Sequence, residues 1–420
     1  MKWRWAASCW PTSNAVQPAS REGQAPFYEP GLDDLLAKHT AAGNLRFTCS
    51  YAEAADFADV HVLAVGTPAL PGSGGYDLAQ LHAAVRRLAP GLNDGALIIG
   101  KSTVPVGASE ALRTVLHRYS RPGADVRLVW SPEFLRGSCA VEGTLRPDRI
   151  VLGVAAGDTT SQAVFRAVHA QILDTGCPLL VTDPPTAELA KGAANAFLAT
   201  KISFINAMAE LCEAAGADVH QLVAVLGHDD RIGRRGMSPG LGFGGGCLPK
   251  DLHGFIARAE ELGLGRAVSI LREADAINLR RRERLVYLAR ELCGGGLSGR
   301  RIGVWSASFK PGTDDIRDSP ALAVADALHR AAAEVTVHDP MAVGNARTAF
   351  PHLHYTGDPT DAATGAELLL HLTEWPEYRE IDPAELHRRI ATPTVIDGRG
   401  TLAVERWRSA GWTYRALGSP

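Results

Sequence analysis

No stretch of this 420-residue chain approaches the roughly 18 consecutive apolar residues that a membrane-spanning helix requires, so no membrane partner is expected. The opening residues, Met1 to Trp10, are tryptophan-rich and lack the continuous apolar segment of a secretory leader. Cysteine is sparse and scattered: seven, at positions 9, 49, 139, 177, 212, 247 and 293, a spacing that matches neither a disulfide framework nor a zinc cluster. No metal is expected, and a reducing cytoplasm fits best. An excess of one charge is also missing: the net charge is -3, which excludes the basic footprint of a nucleic-acid binder. The short cluster Arg280, Arg281 and Arg282 reads as a solvated helix face. Glycine, plentiful elsewhere, occurs once in residues 1–25, at Gly23, so this segment holds no Gly-x-Gly-x-x-Gly turn.

What is present past residue 40 is alternation of short β-branched or apolar runs with amphipathic stretches, the pattern of a parallel sheet covered by helices. Strands are predicted at residues 59–65, 96–100 and 126–130, with a helix from Leu78. These strands deliver Gly66-Thr67-Pro68, Lys101-Ser102-Thr103 and Ser131-Pro132-Glu133 to their carboxyl ends, where ligands bind in open α/β sheets. Residues 186–293 read as mostly helical, interrupted by a glycine-rich stretch from Gly236 to Gly246. The run 252–292 reads as one amphipathic helix, longer than a typical globular helix. After Gly294-Gly295-Gly296, strands are predicted again at 301–305, 335–338, 368–371 and 394–397. The fold expectation is α/β: two Rossmann-like parallel-sheet domains, residues 1–185 and 298–420, joined by a helical middle domain at 186–293.

The most informative segment runs from Gly240 to Asp251. Five glycines precede Cys247, which permits close backbone approach to a ligand and sets the thiol at a loop-to-helix junction. The positive end of the helix dipole there favours a nucleophilic thiolate. Asp251, four residues on, shares a helical face with Cys247 and is placed to orient a water or a proton donor. Lys191 and Asn195 are also four apart, and the apolar neighbours Leu189, Ala190, Ala193, Ala194, Ala196 and Phe197 predict a buried lysine, which needs a reason.

These segments, together with Lys101-Ser102-Thr103-Val104-Pro105-Val106-Gly107, Ser131-Pro132-Glu133-Phe134-Leu135-Arg136, the run from Phe309 to Arg317 and Asp397-Gly398-Arg399, resemble in order and spacing the motif set of the UDP-glucose/GDP-mannose dehydrogenase family over residues 26–420. The resemblance implies a four-electron oxidation of a sugar primary alcohol to a carboxylate with NAD, on UDP-glucose as the expected UDP-sugar substrate. GDP-mannose or a UDP-N-acetylhexosamine oxidised by the same chemistry, and a nucleotide-sugar-binding remnant without activity, stay as alternatives. It implies that Cys247 forms a thiohemiacetal and then a thioester. Lys191 and Asn195 would stabilise oxyanion-like states, Thr103 and Asp251 would hold a water, and Glu133 would act in hydrolysis. Thr67, Ser102, Thr103 and Arg317 match cofactor contacts. Phe134, Leu135, Lys191, Gly244, Lys310 and Arg399 match nucleotide-sugar contacts, and Arg231 matches an arginine that reaches the sugar of a neighbouring subunit in a homodimer.

Three departures accompany the resemblance. Gly137 and Gly236 stand where many relatives carry a glutamate and an aromatic. The family's opening strand, glycine turn and ribose-binding acid have no counterpart in residues 1–25. The expectation is therefore a first sheet lacking its N-terminal strands, from a truncated or wrongly started reading frame or from natural loss, and weak NAD binding.

Overall fold

A computed structural model describes residues 5–8 and 23–418, the first four as backbone. Among the described residues thirteen strands follow in order: β1 (Trp5–Ser8), β2 (Leu45–Thr48), β3 (Val60–Leu63), β4 (Leu97–Gly100), β5 (Arg127–Trp130), β6 (Ile150–Gly153), β7 (Leu179–Thr182), β8 (Arg301–Trp305), β9 (Glu334–His338), β10 (His354–Thr356), β11 (Leu368–His371), β12 (Thr394–Asp397) and β13 (Thr413–Ala416). The chain divides into two compact units, residues 1–194 with 253–263, and residues 195–252 with 264–420.

In the first unit β3 to β7 form a five-stranded sheet in the order β3-β4-β5-β6-β7, parallel except at the β5–β6 pair. Strands β4 and β6 are buried at every position and need helices on both faces; the apolar run of β4 predicts it, whereas β6 is not among the predicted strands. Gly100 ends β4 because the Trp130 ring lies where a Cβ would project. The expected absence of N-terminal strands is not confirmed: β1 pairs in parallel with β2 as a separate two-stranded sheet, from Trp5 opposite Leu45 to Ser8 opposite Thr48. The segment read as lacking a dinucleotide turn, residues 9–22, lies outside the described residues.

The second unit holds a six-stranded, wholly parallel sheet in the order β10-β9-β8-β11-β12-β13. Numbered within the unit, that is 3-2-1-4-5-6, the doubly wound order in which the strand sequence reverses between β8 and β11 and so opens a crevice at their carboxyl ends. Helix Pro320–Arg330 follows β8, started by Ser319, whose hydroxyl accepts from the Leu322 N–H at 3.3 Å, and by Pro320 at its first position. Its buried residues, among them Leu322, Val324 and Leu328, join Val304, Val335, Val337 and Leu370 in one core.

The single long helix expected at 252–292 is two, Leu248–Glu261 and Ser269–Leu292. Gly263, at φ 74°, turns the chain between them, and Leu264 and Gly265 continue the break. The arginine cluster is not a solvated face either. Arg281 is completely buried, with Nε donating to the Gly240 carbonyl at 3.0 Å and Nη1 3.5 Å from Glu210, while Arg282 pairs with Asp318 at 2.8 Å. Helical periodicity fans three consecutive side chains through about 200°, so a run of like charges need not share a face.

His371 ends β11 with no accessible surface; Nε2 meets the Thr401 hydroxyl at 2.9 Å and Nδ1 has no hydrogen-bond partner among the described residues. Burial pushes its pKa below 6.5, and burial does the same to His61, His169 and His338. The unfolded chain therefore binds more protons than the folded one as pH falls through the imidazole range. The stability of neutral, buried imidazoles is fully present above about pH 6.5 and is lost as pH falls towards the depressed folded values. Thermal unfolding followed from pH 8 to pH 5.5 is expected to show a falling Tm. Replacing His371 with glutamine should flatten that fall, and an unchanged slope would contradict the assignment.

Candidate functional site

The first unit carries the loops expected to hold the cofactor. The Thr67 hydroxyl donates to the Thr103 carbonyl at 2.7 Å and the Ser102 hydroxyl to the Val65 carbonyl at 2.6 Å. Both side chains are buried. Their hydroxyl protons are spent on binding the β3 and β4 end loops to each other, leaving oxygen lone pairs as the groups available to a ligand. Two parallel strands ending in bonded, polar, glycine-containing loops fit one edge of a dinucleotide site.

Lys191 is buried at 4% exposure, as expected, although Leu189, Ala193 and Phe197 from the run that suggested it are exposed. Its Nζ lies 3.5 Å from Glu133 Oε1 and 5.6 Å from the Phe134 ring centroid. Glu133 also accepts the Leu135 N–H at 2.6 Å, which fixes the carboxylate against its own turn, while Leu135 itself is exposed. Lys101 is a second half-buried ammonium here, 3.5 Å from the Ser131 hydroxyl. Desolvation holds its pKa below the usual lysine value, against the opposing pull of Glu133. Two lysines thus address one glutamate beside a cavity of about 390 Å³ whose lining includes Lys101, Glu133, Phe134, Leu135 and Arg149.

Sequence reasoning missed three supports of this region. Arg149 stacks on Phe134, Cζ 4.0 Å from the ring centroid. Buried Glu188 accepts the Gly107 N–H at 2.7 Å and the Ser109 N–H, so a carboxylate from one helix caps the start of another, Ala108–Tyr119. Glu29 does the same for helix Ala140–Leu145, accepting from Ser138 at 2.8 Å and Ala140 at 2.7 Å. No spacing rule links residues so far apart in sequence.

The second unit holds the cysteine. Cys247 is exposed and stands immediately before helix Leu248–Glu261, in the capping position the glycine run implied. Asp251 is 1% exposed; its N–H donates to the Cys247 carbonyl at 2.8 Å, and its carboxylate accepts from Lys250 Nζ and from Asn195 Nδ2, each at 2.6 Å. Asn195 and Asp251 are thereby joined by a direct hydrogen bond. Helix Pro184–Ala215 carries Lys191 and Asn195 one turn apart, passing from the first unit into the second between Ala194 and Asn195.

The glycines before Cys247 answer to the chain itself rather than to a ligand. A Cβ at Gly242 would meet Asn278 Oδ1, at Gly244 the Asp318 carbonyl, at Gly245 the Phe309 ring and at Gly246 the Arg317 guanidinium. Asn278, buried and unread in the sequence, clamps the loop in both directions: its Oδ1 accepts the Phe243 N–H at 2.7 Å and its Nδ2 donates to the Phe243 carbonyl at 3.0 Å. Gly236 is explained in the same way, since φ is 79° and Leu198 packs where a side chain would project.

Lys310 lies in the loop after β8, its Nζ 5.6 Å from the Phe309 ring centroid. The loop is pinned by buried Asp339, which accepts from the Ala307 and Ser308 amides and from both serine hydroxyls, Ser306 and Ser308, at 2.8 to 2.9 Å. Arg399 follows β12, Nε donating to the Leu372 carbonyl at 2.8 Å and Nη1 to the Gly242 carbonyl at 3.1 Å. The structure thus gathers Arg399, Gly244, Cys247 and Arg317 around one glycine-rich turn. Arg231 stands apart, exposed and bonded to Asp229 at 2.6 Å. Among the described residues no group of histidine, cysteine and carboxylate side chains is arranged to hold a metal ion, and no helix is long and apolar enough to cross a membrane.

Three family models match in sequence order: the UDP-glucose/GDP-mannose dehydrogenase NAD binding domain over residues 14–173, the central domain over 185–280 and the UDP binding domain over 303–404. The first reaches upstream of residue 26, where the motif resemblance was placed. The UDP-glucose 6-dehydrogenase of Rhizobium meliloti is 39% identical over 402 residues, 96% of this chain and 91% of that protein. That of Pseudomonas aeruginosa is 37% identical, over 95% and 89%. A solved UDP-glucose dehydrogenase from the archaeon Pyrobaculum islandicum superposes with a TM-score of 0.88 at 36% identity, covering 97% of this chain and 91% of that one. With matching models for all three domains and relatives this similar over nearly their whole length, the chain belongs to the UDP-glucose/GDP-mannose dehydrogenase family.

Proposed function

We propose that the chain oxidises the C6 primary alcohol of UDP-glucose to the carboxylate of UDP-glucuronate, with Cys247 as the covalent nucleophile. The observation that carries this is an exposed thiol at a helix start, one turn from a buried aspartate bonded to both an asparagine and a lysine. Relatives named as UDP-glucose 6-dehydrogenases support the choice of sugar. The loops of Thr67, Ser102 and Thr103 would hold NAD, which would supply the hydride acceptor for both oxidations. Oxidation of the alcohol leaves an aldehyde. The Cys247 thiolate adds to its carbonyl carbon, and the oxygen becomes the hydroxyl of a thiohemiacetal. Loss of a second hydride and that hydroxyl proton gives a thioester, and water cleaves it to the carboxylate and the free thiol.

Lys191 and Asn195 stabilise the developing oxyanion, and Thr103 and Asp251 hold the water. Glu133, set between Lys191 and Lys101, serves the hydrolytic step. Phe134, Leu135, Gly244, Lys310 and Arg399 contact the nucleotide sugar. Residues 1–185 serve the cofactor, 186–293 carry the cysteine loop and 298–420 hold the UDP moiety, a division that the three family matches support. Initial rates with UDP-glucose, GDP-mannose and a UDP-N-acetylhexosamine test the substrate: kcat/KM is expected to favour UDP-glucose by at least about 100-fold. Preference for either alternative would overturn the assignment.

The same reading includes a homodimer formed through the middle helices, with Arg231 reaching the partner's sugar site, in a reducing cytoplasm. Phe197, Phe204 and Leu211 are exposed at a seven-residue spacing on helix Pro184–Ala215, and Ile270, Leu279 and Tyr287 are exposed on helix Ser269–Leu292. Large apolar side chains repeated along a helix in this way call for a partner. The six described cysteines are free, which suits a reducing compartment. Sedimentation at micromolar concentration should show a dimer, and Phe197→Asp with Phe204→Asp should yield a monomer. A wild-type monomer with full activity would contradict the dimer.

A further inference from the structure

We propose that Arg317 is the positioning residue that holds Cys247 as its thiolate, through a guanidinium laid over the peptide that precedes the cysteine. The inference rests on the reading of Cys247 as the nucleophile. The motif resemblance grouped Arg317 with Thr67, Ser102 and Thr103 at the cofactor. The fold packs its Cζ, Nε and Nη1 where a Cβ at Gly246 would project, so closely that no side chain fits there. The Gly245 N–H donates to the Arg317 carbonyl at 3.0 Å, which ties the two loops at the same point.

Asp315 grips the guanidinium on one edge only: Nε donates to Oδ1 at 3.0 Å and Nη2 to Oδ2 at 2.7 Å. Nη1 takes no part in that pair and is one of the atoms over Gly246. Glycine at 246 is thus required so that a fixed cation can approach the backbone next to the thiol. The electrostatic coupling runs both ways, since Cys247 is among the groups that hold the Arg317 pKa above its ordinary value, after the dominant bond to Asp315.

The other charged groups of this unit around the turn are already matched, Arg399 with Glu374 at 3.4 Å among them. On the cysteine's own helix Lys250 pairs with Asp251 at 2.6 Å, and Asn195 of helix Pro184–Ala215 adds a neutral donor to the same carboxylate. From helix Ser269–Leu292, Arg282 pairs with Asp318, whose carbonyl faces Gly244. On the loop after β8, Lys310 lies by the Phe309 ring that covers Gly245. Arg317 is the cation laid directly on the residue before Cys247, and it adds to the helix N-terminus in favouring the thiolate.

The test reads the thiol without turnover. Iodoacetamide alkylates the thiolate, sulfur displacing iodide, and the rate at Cys247 is followed against pH in the protein without substrate by mass analysis of the peptide that contains it. This separates it from the other exposed cysteines, Cys49 and Cys139. Arg317→Gln should raise the midpoint of the profile by about one pH unit, slowing alkylation near neutrality about ten-fold. Arg317→Lys, which keeps the charge but not the fork, should recover part of the shift. Asp315→Asn should move the midpoint the opposite way. An unmoved midpoint in Arg317→Gln, whatever happens to the KM for NAD, overturns the proposal. If Cys247→Ala keeps its turnover while Arg317→Gln shifts the midpoint, the coupling stands and the nucleophile reading fails. If Cys247→Ala is inactive and the midpoint does not move, the coupling alone fails.

Discussion

Cys247→Ala is expected to abolish uronate formation, lowering kcat by about 10⁴-fold or more, as removal of a covalent nucleophile does elsewhere. Nucleotide-sugar binding should persist, because Lys310 and Arg399 sit on the loops after β8 and β12, held by Asp339 and Asp397 rather than by the thiol. Cys247→Ser should behave differently. An alkoxide leaves less readily than a thiolate, so a serine that completed both oxidations would accumulate a slowly hydrolysed ester, visible as added mass on the protein. Ordinary turnover in the alanine variant would mean that the oxidation proceeds without a covalent intermediate.

The second large effect concerns NAD. The chain is expected to bind it far more weakly than a relative that carries a Gly-x-Gly-x-x-Gly turn, while still binding UDP-glucose, because residues 1–25 contain one glycine and no such turn. Thr67 and Ser102 do not make up the loss, since their hydroxyl protons are engaged with backbone carbonyls. Loss of two or three charge-assisted hydrogen bonds, at about 1.5 to 3 kcal/mol each, would weaken affinity by several powers of ten. Calorimetric titration of the 420-residue chain with each ligand separates the cases. Weak NAD binding that is restored by grafting a Gly-x-Gly-x-x-Gly turn in place of residues 9–22 would support the expectation, and micromolar NAD affinity would refute it.

The parts of this protein that could be read in the sequence share one property: their signal is local. Buried parallel strands such as Leu97–Gly100 and Leu368–His371 announce themselves as apolar runs, and a glycine run ending at Cys247 announces a turn into a helix. Strands β7 and β13 escaped because they lie at sheet edges, where half-exposed residues such as Leu180 and Arg415 blur the pattern. The break at Gly263 escaped because its neighbours keep a helical apolar period. The supports of the site were hidden for another reason. Asn278, Arg281 and Glu188 each fix a loop tens of residues away, and only the fold brings donor and acceptor together. The glycines of the cysteine loop were read as room for a ligand, whereas the space is occupied by Asn278, Phe309 and Arg317.

The account stands on a four-electron oxidation completed at one cysteine, and the stoichiometry of that reaction tests it most directly. With UDP-glucose limiting and NAD in excess, the wild-type chain should form about two NADH for each UDP-glucose consumed, with UDP-glucuronate as the product and no free aldehyde. A ratio of one with release of the aldehyde, or no NADH at saturating NAD while the sugar nucleotide still binds, would contradict it.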